Sequence, residues 1–213
     1  MTAPIRILVL NERDMEHPKA GGAEIHVERL FARVAARGHP VVHYSTGFRR
    51  VAHAADQPPF FPGTPVRAPR RSVRHGIEIE RFGPLAAYYA GMPWRVARAC
   101  RRGEFDLVVE CLNKIPFYSP LYAGIPVLAL CHHLFGEVAF DQVAWPIAAA
   151  VLGAERGIPR AYRDTDFLAI SPSTRDDLLA RGIAASRIGI SLPGIDRPAL
   201  TVDPTTLRPA RIA

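Results

Sequence analysis

The segment that most constrains the fold joins a short apolar run to an amphipathic helix through two glycines. Residues 6–10 read RILVL, which is typical of a parallel strand buried on both faces. Polar and turn-forming residues follow, and Gly21 and Gly22 come directly before a helical pattern. Apolar side chains recur in this pattern at helical spacing, at Ala23, Val27, Leu30, Phe31 and Val34. Gly38 can adopt a positive φ just past the helix, so we predict a strand, a loop and a helix that open an α/β domain.

The glycine pair at the start of this helix has two interpretations. Without side chains, the first backbone amides of the helix can point directly at an anion, and the helix dipole adds partial positive charge there. The alternative is that Gly21 and Gly22 only let the loop turn into the helix. No G-x-G-x-x-G segment follows the strand directly, which argues against a nicotinamide cofactor and a short-chain NAD enzyme.

Strands and helices alternate along the rest of the chain. The patterns predict strands over 41–46, 77–82, 105–111, 126–131, 167–170 and 187–192. They predict helices over 84–102, interrupted near 91–93, over 147–163, broken near 157–159, and from 171–174 onward. The Pro- and Arg-rich residues 48–76 are expected to form an irregular surface segment, and 197–213 a linker-like tail. We therefore predict one α/β domain over residues 1–196, with a Rossmann-like parallel sheet and helices on both faces.

The composition is that of a globular domain with a sizeable core. No apolar run reaches the length of a membrane span, and the first residues lack the pattern of a secretory signal, so we expect a cytoplasmic protein. Cys100, Cys111 and Cys131 are odd in number and form no C-x-x-C pair. Reduced thiols in the core are therefore expected rather than disulfides or zinc ligands.

Arginines give the chain a net charge of +7 and cluster in three places. The clusters are Arg49 and Arg50, then Arg67, Arg70, Arg71 and Arg74, then Arg95, Arg98, Arg101 and Arg102. They could be solvated surface, or they could contact anionic lipid headgroups or a phosphorylated acceptor. Nucleic acid is not expected as a partner, because no aromatic residues interleave with the arginines and no binding motif is present.

Polar residues follow two of the predicted strands at the ends where open α/β sheets bind ligands. Asn113 follows one strand, and it could either contact a ligand or only turn the chain. His132 and His133 follow another, and adjacent residues of a strand point to opposite sides, so both cannot ligate one metal. Spacing alone favours a polar strand-end residue over a catalyst. Ser171 or Ser173 is expected to cap the next helix.

Several segments together resemble the amino-terminal half of the family 4 glycosyltransferases, the retaining enzymes of the GT-B fold. They are Leu10-Asn11, Asp14, His17-Pro18, residues 20–24, Arg37-Gly38-His39, and residues 110–117, 131–137, 170–178 and 193–196. The resemblance covers nearly the whole chain in order. It implies two Rossmann-like halves, of which the first shapes the acceptor site and the second binds the nucleotide of the donor. The donor-binding half is absent from these residues.

The resemblance also implies roles for single residues. His132 is expected to contact the donor sugar near the reacting centre, and the backbone at Gly21 and Gly22 to face the donor phosphates. Contacts with the acceptor or substrate are expected from Asn11, Asp14, His17, Glu24, Asn113, His133 and Ser173. Asp14 has an equally good alternative role as a turn-forming residue. The departing phosphate is expected to help take the acceptor proton, so no protein nucleophile, metal or cofactor is expected beyond the nucleotide-sugar co-substrate.

Two functions remain open from the sequence. One is the acceptor-side half of a retaining glycosyltransferase, which is inactive until a donor-binding half, on the same or another chain, completes it. Its partners would be a nucleotide sugar and a hydroxyl acceptor, with lipid-linked or anionic acceptors and a peripheral position at the inner membrane surface among the options. The other is a non-catalytic binding module that retains the same fold.

Overall fold

An eight-stranded sheet runs through the computed structural model, which describes residues 3–52, 64–113, 115–136 and 144–194. The strands of this sheet and of a separate two-stranded ribbon are β1 (Ile7–Leu10), β2 (Val41–Thr46), β3 (Arg49–Ala52), β4 (Thr64–Arg67), β5 (Arg71–Arg74), β6 (Ile77–Phe82), β7 (Leu107–Leu112), β8 (Val127–Cys131), β9 (Asp166–Ala169) and β10 (Ile188–Ile190). The sheet has the order β10-β9-β8-β7-β1-β2-β6-β5. All neighbouring strands pair in parallel except β5 and β6, which are antiparallel.

Helices cover both faces of this sheet, as the sequence predicts. They are α1 (Gly22–Ala35), α2 (Leu85–Arg101), α3 (Trp145–Arg156), α4 (Ile158–Ala161) and α5 (Pro172–Ala180), with 3₁₀ turns at Ser119–Leu121 and Ala185–Arg187. Side chains alternate along β1, because successive residues of a strand point to opposite faces. Ile7 and Val9 pack with α1, whereas Leu8 and Leu10 pack with α2. The predicted α/β architecture is therefore confirmed.

The predicted strands match the observed strands closely. Residues 41–46 and 77–82 are β2 and β6 with the expected bounds, and the helix break near 157–159 falls at Gly157, between α3 and α4. Gly38 has φ +89° just beyond α1, a conformation that needs glycine. The three cysteines are free and buried. The expected tail over 197–213 lies outside the described residues.

The prediction for residues 48–76 is wrong where the structure describes them. β3 and β4 pair antiparallel there, and β5 adds to the edge of the main sheet beside β6. Few apolar side chains mark these strands, so the hydrophobic pattern does not reveal them. β5 is held instead by its backbone pairing and by an ion pair across the strands, Arg71 to Glu80 at 2.5 Å.

The predicted interruption of the second helix is also wrong. α2 continues through Pro93, although proline lacks the amide hydrogen that the helix would use there. Tyr88, Met92 and Val96 are fully buried on the sheet on either side of the proline. This packing stabilises the helix across the missing hydrogen bond, because tertiary burial contributes more to helix stability than local propensity does.

Within the described ranges, no helix combines the length and the apolar character that crossing a bilayer requires.

Candidate functional site

The candidate site is built at the carboxyl edge of the parallel strands. β1, β7 and β8 lie side by side, so the residues that follow them come out at the same edge. Two of these, Asn11 and Asn113, are buried and touch: the Asn113 side-chain amide donates to Asn11 Oδ1 at 2.9 Å. The Asn11 side-chain amide donates in turn to the Arg13 carbonyl at 2.8 Å. The structure thus brings together two residues that the sequence places 102 positions apart.

His132 follows β8 at this edge and is 4% exposed. Its backbone amide donates to the Leu112 carbonyl at 3.1 Å, and its carbonyl accepts from the Thr174 hydroxyl at 3.2 Å, so the end of β7 and helix α5 fix its position. Its Nε2 lies 3.2 Å from Nδ1 of His26, on α1. Its Nδ1 is buried and has no hydrogen-bond partner among the described residues. Nε2 of His132 therefore contacts His26, whereas Nδ1 has no hydrogen-bond partner among the described residues.

The imidazole of His132 is neutral at physiological pH. Burial, together with the neighbouring His26 and His133, lowers the pKa of His132 to about 4. Burial also lowers the pKa of His26. The pair is consequently a hydrogen-bonding group rather than a cationic one, and each ring offers one N–H and one lone pair.

The start of α1 lies beside this histidine pair and is open. Gly21 and Gly22 are exposed, and a side chain on Gly22 would meet no atom within 4 Å. One on Gly21 would meet only Glu24 Oε2, at 3.7 Å, which is an ordinary contact. The fold therefore does not require glycine at either position. The first amides of an α-helix have no acceptor within the helix, so an anion could reach them here.

Glu24 caps the first turn of α1 with its own side chain. Its carboxylate accepts from the Gly21 amide at 2.7 Å, and its side chain is 6% exposed. This contact gives Glu24 a capping role, because it satisfies an amide that the helix leaves unpaired. The substrate contact that the resemblance implies for Glu24 stays a prediction.

A cavity of about 170 Å³ extends from the helix start to His26. Gly22, His26 and Arg29 line one side, and Pro193 and Gly194, in the turn after β10, line the other. His26 thus faces both this cavity and His132. Through the contact between His26 and His132, the start of α1 lies near the end of β8.

Asp14 lies in the loop after β1 and is already paired. Its Oδ2 accepts from Arg81 Nε and from the Ser45 hydroxyl, each at 2.7 Å, and its Oδ1 accepts from the Glu16 amide at 3.0 Å. Burial alone would raise the pKa of Asp14, but the hydrogen bonds from Arg81 and Ser45 outweigh it and lower that pKa. The geometry matches the turn-forming alternative, and both oxygens are occupied.

The other three predicted contact residues have local partners. His17 accepts from the Lys19 amide at 3.0 Å and packs edge-on against Phe48. His133 is exposed and packs against Phe135, with ring centroids 4.7 Å apart. Ser173 is exposed, with its hydroxyl 2.9 Å from that of Ser171, and it is Ser171 that caps α5 by accepting from the Thr174 amide.

Two residues of the site were missed from the sequence. His26 lies four positions after Gly22, a spacing that puts both on one helix face, and this was the available signal. Glu110 interrupts an apolar strand and is fully buried. Its carboxylate accepts from the amides of Phe117 and Ser119 and from the Tyr162 hydroxyl, which orders the loop that follows Asn113. Burial raises the pKa of Glu110. A carboxylate inside an apolar strand is unusual and was its signal.

In the described part of the chain, no three His, Cys, Asp or Glu side chains come together as a group that could hold a metal ion.

Two solved structures share this fold over about half of their own length. HepE from Anabaena, in complex with UDP-glucose, matches with a TM-score of 0.53 and 16% identity over 90% of this chain and 44% of its own. Sucrose-phosphate synthase from Thermosynechococcus elongatus matches with a TM-score of 0.53 and 17% identity over 87% of this chain and 47% of its own. This chain spans less than half of either relative. Its fold is one half of the GT-B architecture of glycosyltransferases.

The sequence assigns the chain more narrowly within that class. The family described as Glycosyltransferase Family 4 matches residues 20–197, from just before the glycine pair to beyond β10. The chain belongs to this family. No curated protein matches it.

Proposed function

We propose that this chain is the acceptor-side half of a retaining glycosyltransferase, which moves a sugar from a nucleotide-sugar donor to a hydroxyl group. One observation carries the proposal: an open helix start, at Gly22, lies beside the contact between half-buried His26 and buried His132 at the carboxyl edge of the sheet. The first feature suits a phosphate and the second suits the sugar that the phosphate carries. Membership of the family supports the class of reaction.

The helix start is the proposed contact for the donor phosphates. Residues 22–24 offer amides at the positive end of α1, and the space outside Gly22 lets an anion approach the backbone. Glu24 holds the Gly21 amide, so the loop keeps its shape without a ligand.

His132 is the proposed contact for the sugar. A neutral imidazole in a dry position can hydrogen-bond a sugar hydroxyl without attracting a counter-ion, and His26 fixes its ring. In the proposed reaction the bond from the anomeric carbon to the departing phosphate breaks, and the bond from that carbon to the acceptor oxygen forms on the same face. The departing phosphate takes the proton of the acceptor hydroxyl. His132 positions the sugar and does not act as the nucleophile.

The asparagine pair is the proposed contact for the acceptor. One N–H of Asn113 goes to Asn11, and an amide side chain has further donors and an acceptor to offer. Asn11 fixes the orientation of Asn113 through this bond. Asp14 stabilises the loop after β1 through its ion pair with Arg81, and no contact between Asp14 and the acceptor is proposed.

A donor-binding half must complete the proposed enzyme, and UDP-glucose is the first donor to test because HepE was solved with it. The ¹⁵N-labelled chain should bind UDP-glucose weakly, with amide shifts concentrated at residues 22–24 and near His132. Gly22→Ala and His132→Ala should abolish these shifts. Gly153→Ala is the matched control, because Gly153 is an exposed helical glycine whose added side chain also meets nothing within 4 Å. Shifts that gather elsewhere would contradict the proposal.

The non-catalytic alternative is tested by transfer itself. A donor-binding half should contain a lysine or arginine and an E-x7-E segment, and it could be encoded downstream of this chain or on a separate chain. Combining such a half with this chain should restore transfer. The combined protein should then release UDP in proportion to glycosylated acceptor, and His132→Ala should reduce that rate. Binding without transfer in the completed protein would favour the binding module. Robust transfer by the 213-residue chain alone would refute the division of roles proposed here.

A further inference from the structure

A second cavity, of about 530 Å³, lies at the same carboxyl edge of the sheet, beside the ends of β2 and β6. Gly47 and Gly83, which follow these two strands, line it together. The Gly47 amide donates to the Gly83 carbonyl at 2.8 Å, and a side chain on Gly47 would come within 2.9 Å of that oxygen. The close backbone contact fixes this part of the cavity wall.

Arginines dominate the lining of this cavity. Four of them have no carboxylate partner among the described residues, and we call these the cavity arginines: Arg49, Arg67, Arg70 and Arg95. In residues 3–52, 64–113, 115–136 and 144–194, no acidic side chain lines the cavity and none forms an ion pair with a cavity arginine. Phe82 holds two of them in place, with the Arg95 guanidinium 4.7 Å and the Arg70 guanidinium 6.0 Å from its ring centroid.

Carboxylates lie near the cavity, but in the described part of the chain they pair with arginines other than the cavity arginines. Nearby Arg71 and Arg74 bind Glu80 and Glu28 at 2.5 and 2.6 Å, so carboxylates are available in the same region of the fold. Four guanidinium groups around one cavity repel each other unless an anion lies between them. A guanidinium fork also matches the oxygens of phosphate and carboxylate groups better than it matches water. The lining is therefore suited to a ligand with more than one negative charge.

Arg81 links this cavity to the candidate site. It also lines the cavity, but its guanidinium is 3% exposed and binds Asp14 in the loop that follows β1. That loop begins at Asn11, which contacts Asn113. The cavity thus lies on the acceptor side of the site, separated from the asparagine pair by the Asp14–Arg81 ion pair.

We propose that the cavity arginines bind a phosphate group carried by the acceptor. This inference rests on the proposed function, since it names the chemical class of the acceptor for the same site. A phosphate monoester or diphosphate supplies the negative charge that a single carboxylate would not. The phosphate could belong to a soluble sugar phosphate or to a lipid headgroup, and both sources present the same oxygens to the arginines.

The test compares two double variants that remove equal charge. Arg49→Gln/Arg67→Gln removes two exposed cavity arginines, and Arg37→Gln/Arg160→Gln removes two exposed arginines outside the cavity. Pyrophosphate binding, measured by calorimetry on the full chain, should weaken at least tenfold in the first variant and less than twofold in the second. Equal weakening in both, or no measurable binding by the unmodified chain to either pyrophosphate or vesicles, would overturn the proposal.

A second experiment distinguishes a lipid headgroup from a soluble phosphate as the source of the bound group. If the phosphate is a lipid headgroup, the unmodified chain should co-sediment with vesicles that contain phosphatidic acid and not with neutral vesicles. The cavity variant should lose this co-sedimentation, and the control variant should keep it. Pyrophosphate binding without co-sedimentation indicates a soluble phosphate. The UDP-glucose shifts at residues 22–24 should persist in the cavity variant. Failure at the cavity is therefore distinguishable from failure of the proposed glycosyltransferase function.

Discussion

Nδ1 of His26 lies 3.2 Å from Nε2 of His132, and this contact joins helix α1 to the end of strand β8. One of the two nitrogens must carry the hydrogen, so each ring determines the tautomer of the other. The contact also ties the open helix start to the strand-end histidine. A ligand that contacted both would find their relative position already fixed before it bound.

Replacing His26 should change the ionisation of His132 rather than the fold. In His26→Ala the pKa of His132 should rise from about 4, because the burial and the neighbouring ring that lower it are both reduced. Titration of the His132 ring protons by NMR measures this. His75→Ala, at an exposed histidine, is the control and should leave the titration unchanged. An unchanged pKa in His26→Ala would show that the contact has no electrostatic effect.

The stability of the chain should fall as the pH falls from about 6.5 towards 4. The unfolded chain protonates His132 near pH 6.5, whereas the folded chain does so only near pH 4, so the unfolded state binds more protons between these values. Between pH 7 and pH 5 this residue alone should account for about 2 kcal/mol of lost unfolding free energy.

Urea unfolding at the two pH values, with His132→Gln beside the unmodified chain, measures this contribution. The variant should lose about 2 kcal/mol less than the unmodified chain. His43, whose pKa is also lowered by burial, remains in both proteins and does not affect the difference. The same loss in both proteins would contradict the buried neutral state of His132.

Two glycine substitutions should have opposite effects on stability. Gly22→Ala should leave the unfolding free energy unchanged or raise it by up to about 1 kcal/mol, because the added methyl group meets no atom and alanine favours the helix. Gly47→Ala should lower it by about 1–3 kcal/mol, because its Cβ would press on the Gly83 carbonyl. Thermal or urea unfolding checks both. A strong loss of stability in Gly22→Ala would mean that the glycine serves the fold.

Removing the buried carboxylate of Glu110 should destabilise the chain strongly. Glu110→Ala leaves the Phe117 and Ser119 amides and the Tyr162 hydroxyl without their acceptor inside the core. The expected cost is about 3–5 kcal/mol of unfolding free energy. Glu104→Ala, at an exposed glutamate, should cost less than about 0.5 kcal/mol and serves as the control. Similar midpoints for both variants would show that the loop after β7 does not depend on Glu110.

The sequence revealed the parts of the fold that burial determines. β1 and β8 are short apolar runs, β2 begins with one, and β6 alternates buried isoleucines with charged residues, so their bounds could be predicted from the pattern. β5 could not, because its side chains are exposed or half-exposed and it is held by backbone pairing to β6 and an ion pair rather than by apolar burial. Pro93 led to the opposite error, since the local rule against proline was outweighed by the burial of Met92 and Val96.

The strand ends that form the candidate site could be predicted from the sequence, but the contacts between their side chains could not. Parallel strands implied that Asn11, Asn113 and His132 share an edge, and they do. His26 becomes part of the site only through the packing of α1 on the sheet, which a single helix pattern does not determine. Asp14 shows the converse: its residue type suggested an acceptor contact, but Arg81, distant in sequence, already pairs with it.

The edge strand β5 also bears on how the molecule behaves at high concentration. Arg71 and Arg74 flank it, and the outer backbone groups of an edge strand are a template for pairing with another sheet. Charged side chains at such a border disfavour that pairing, because a second copy would bring the same charges together. β5 therefore protects the far side of the sheet against edge-to-edge aggregation.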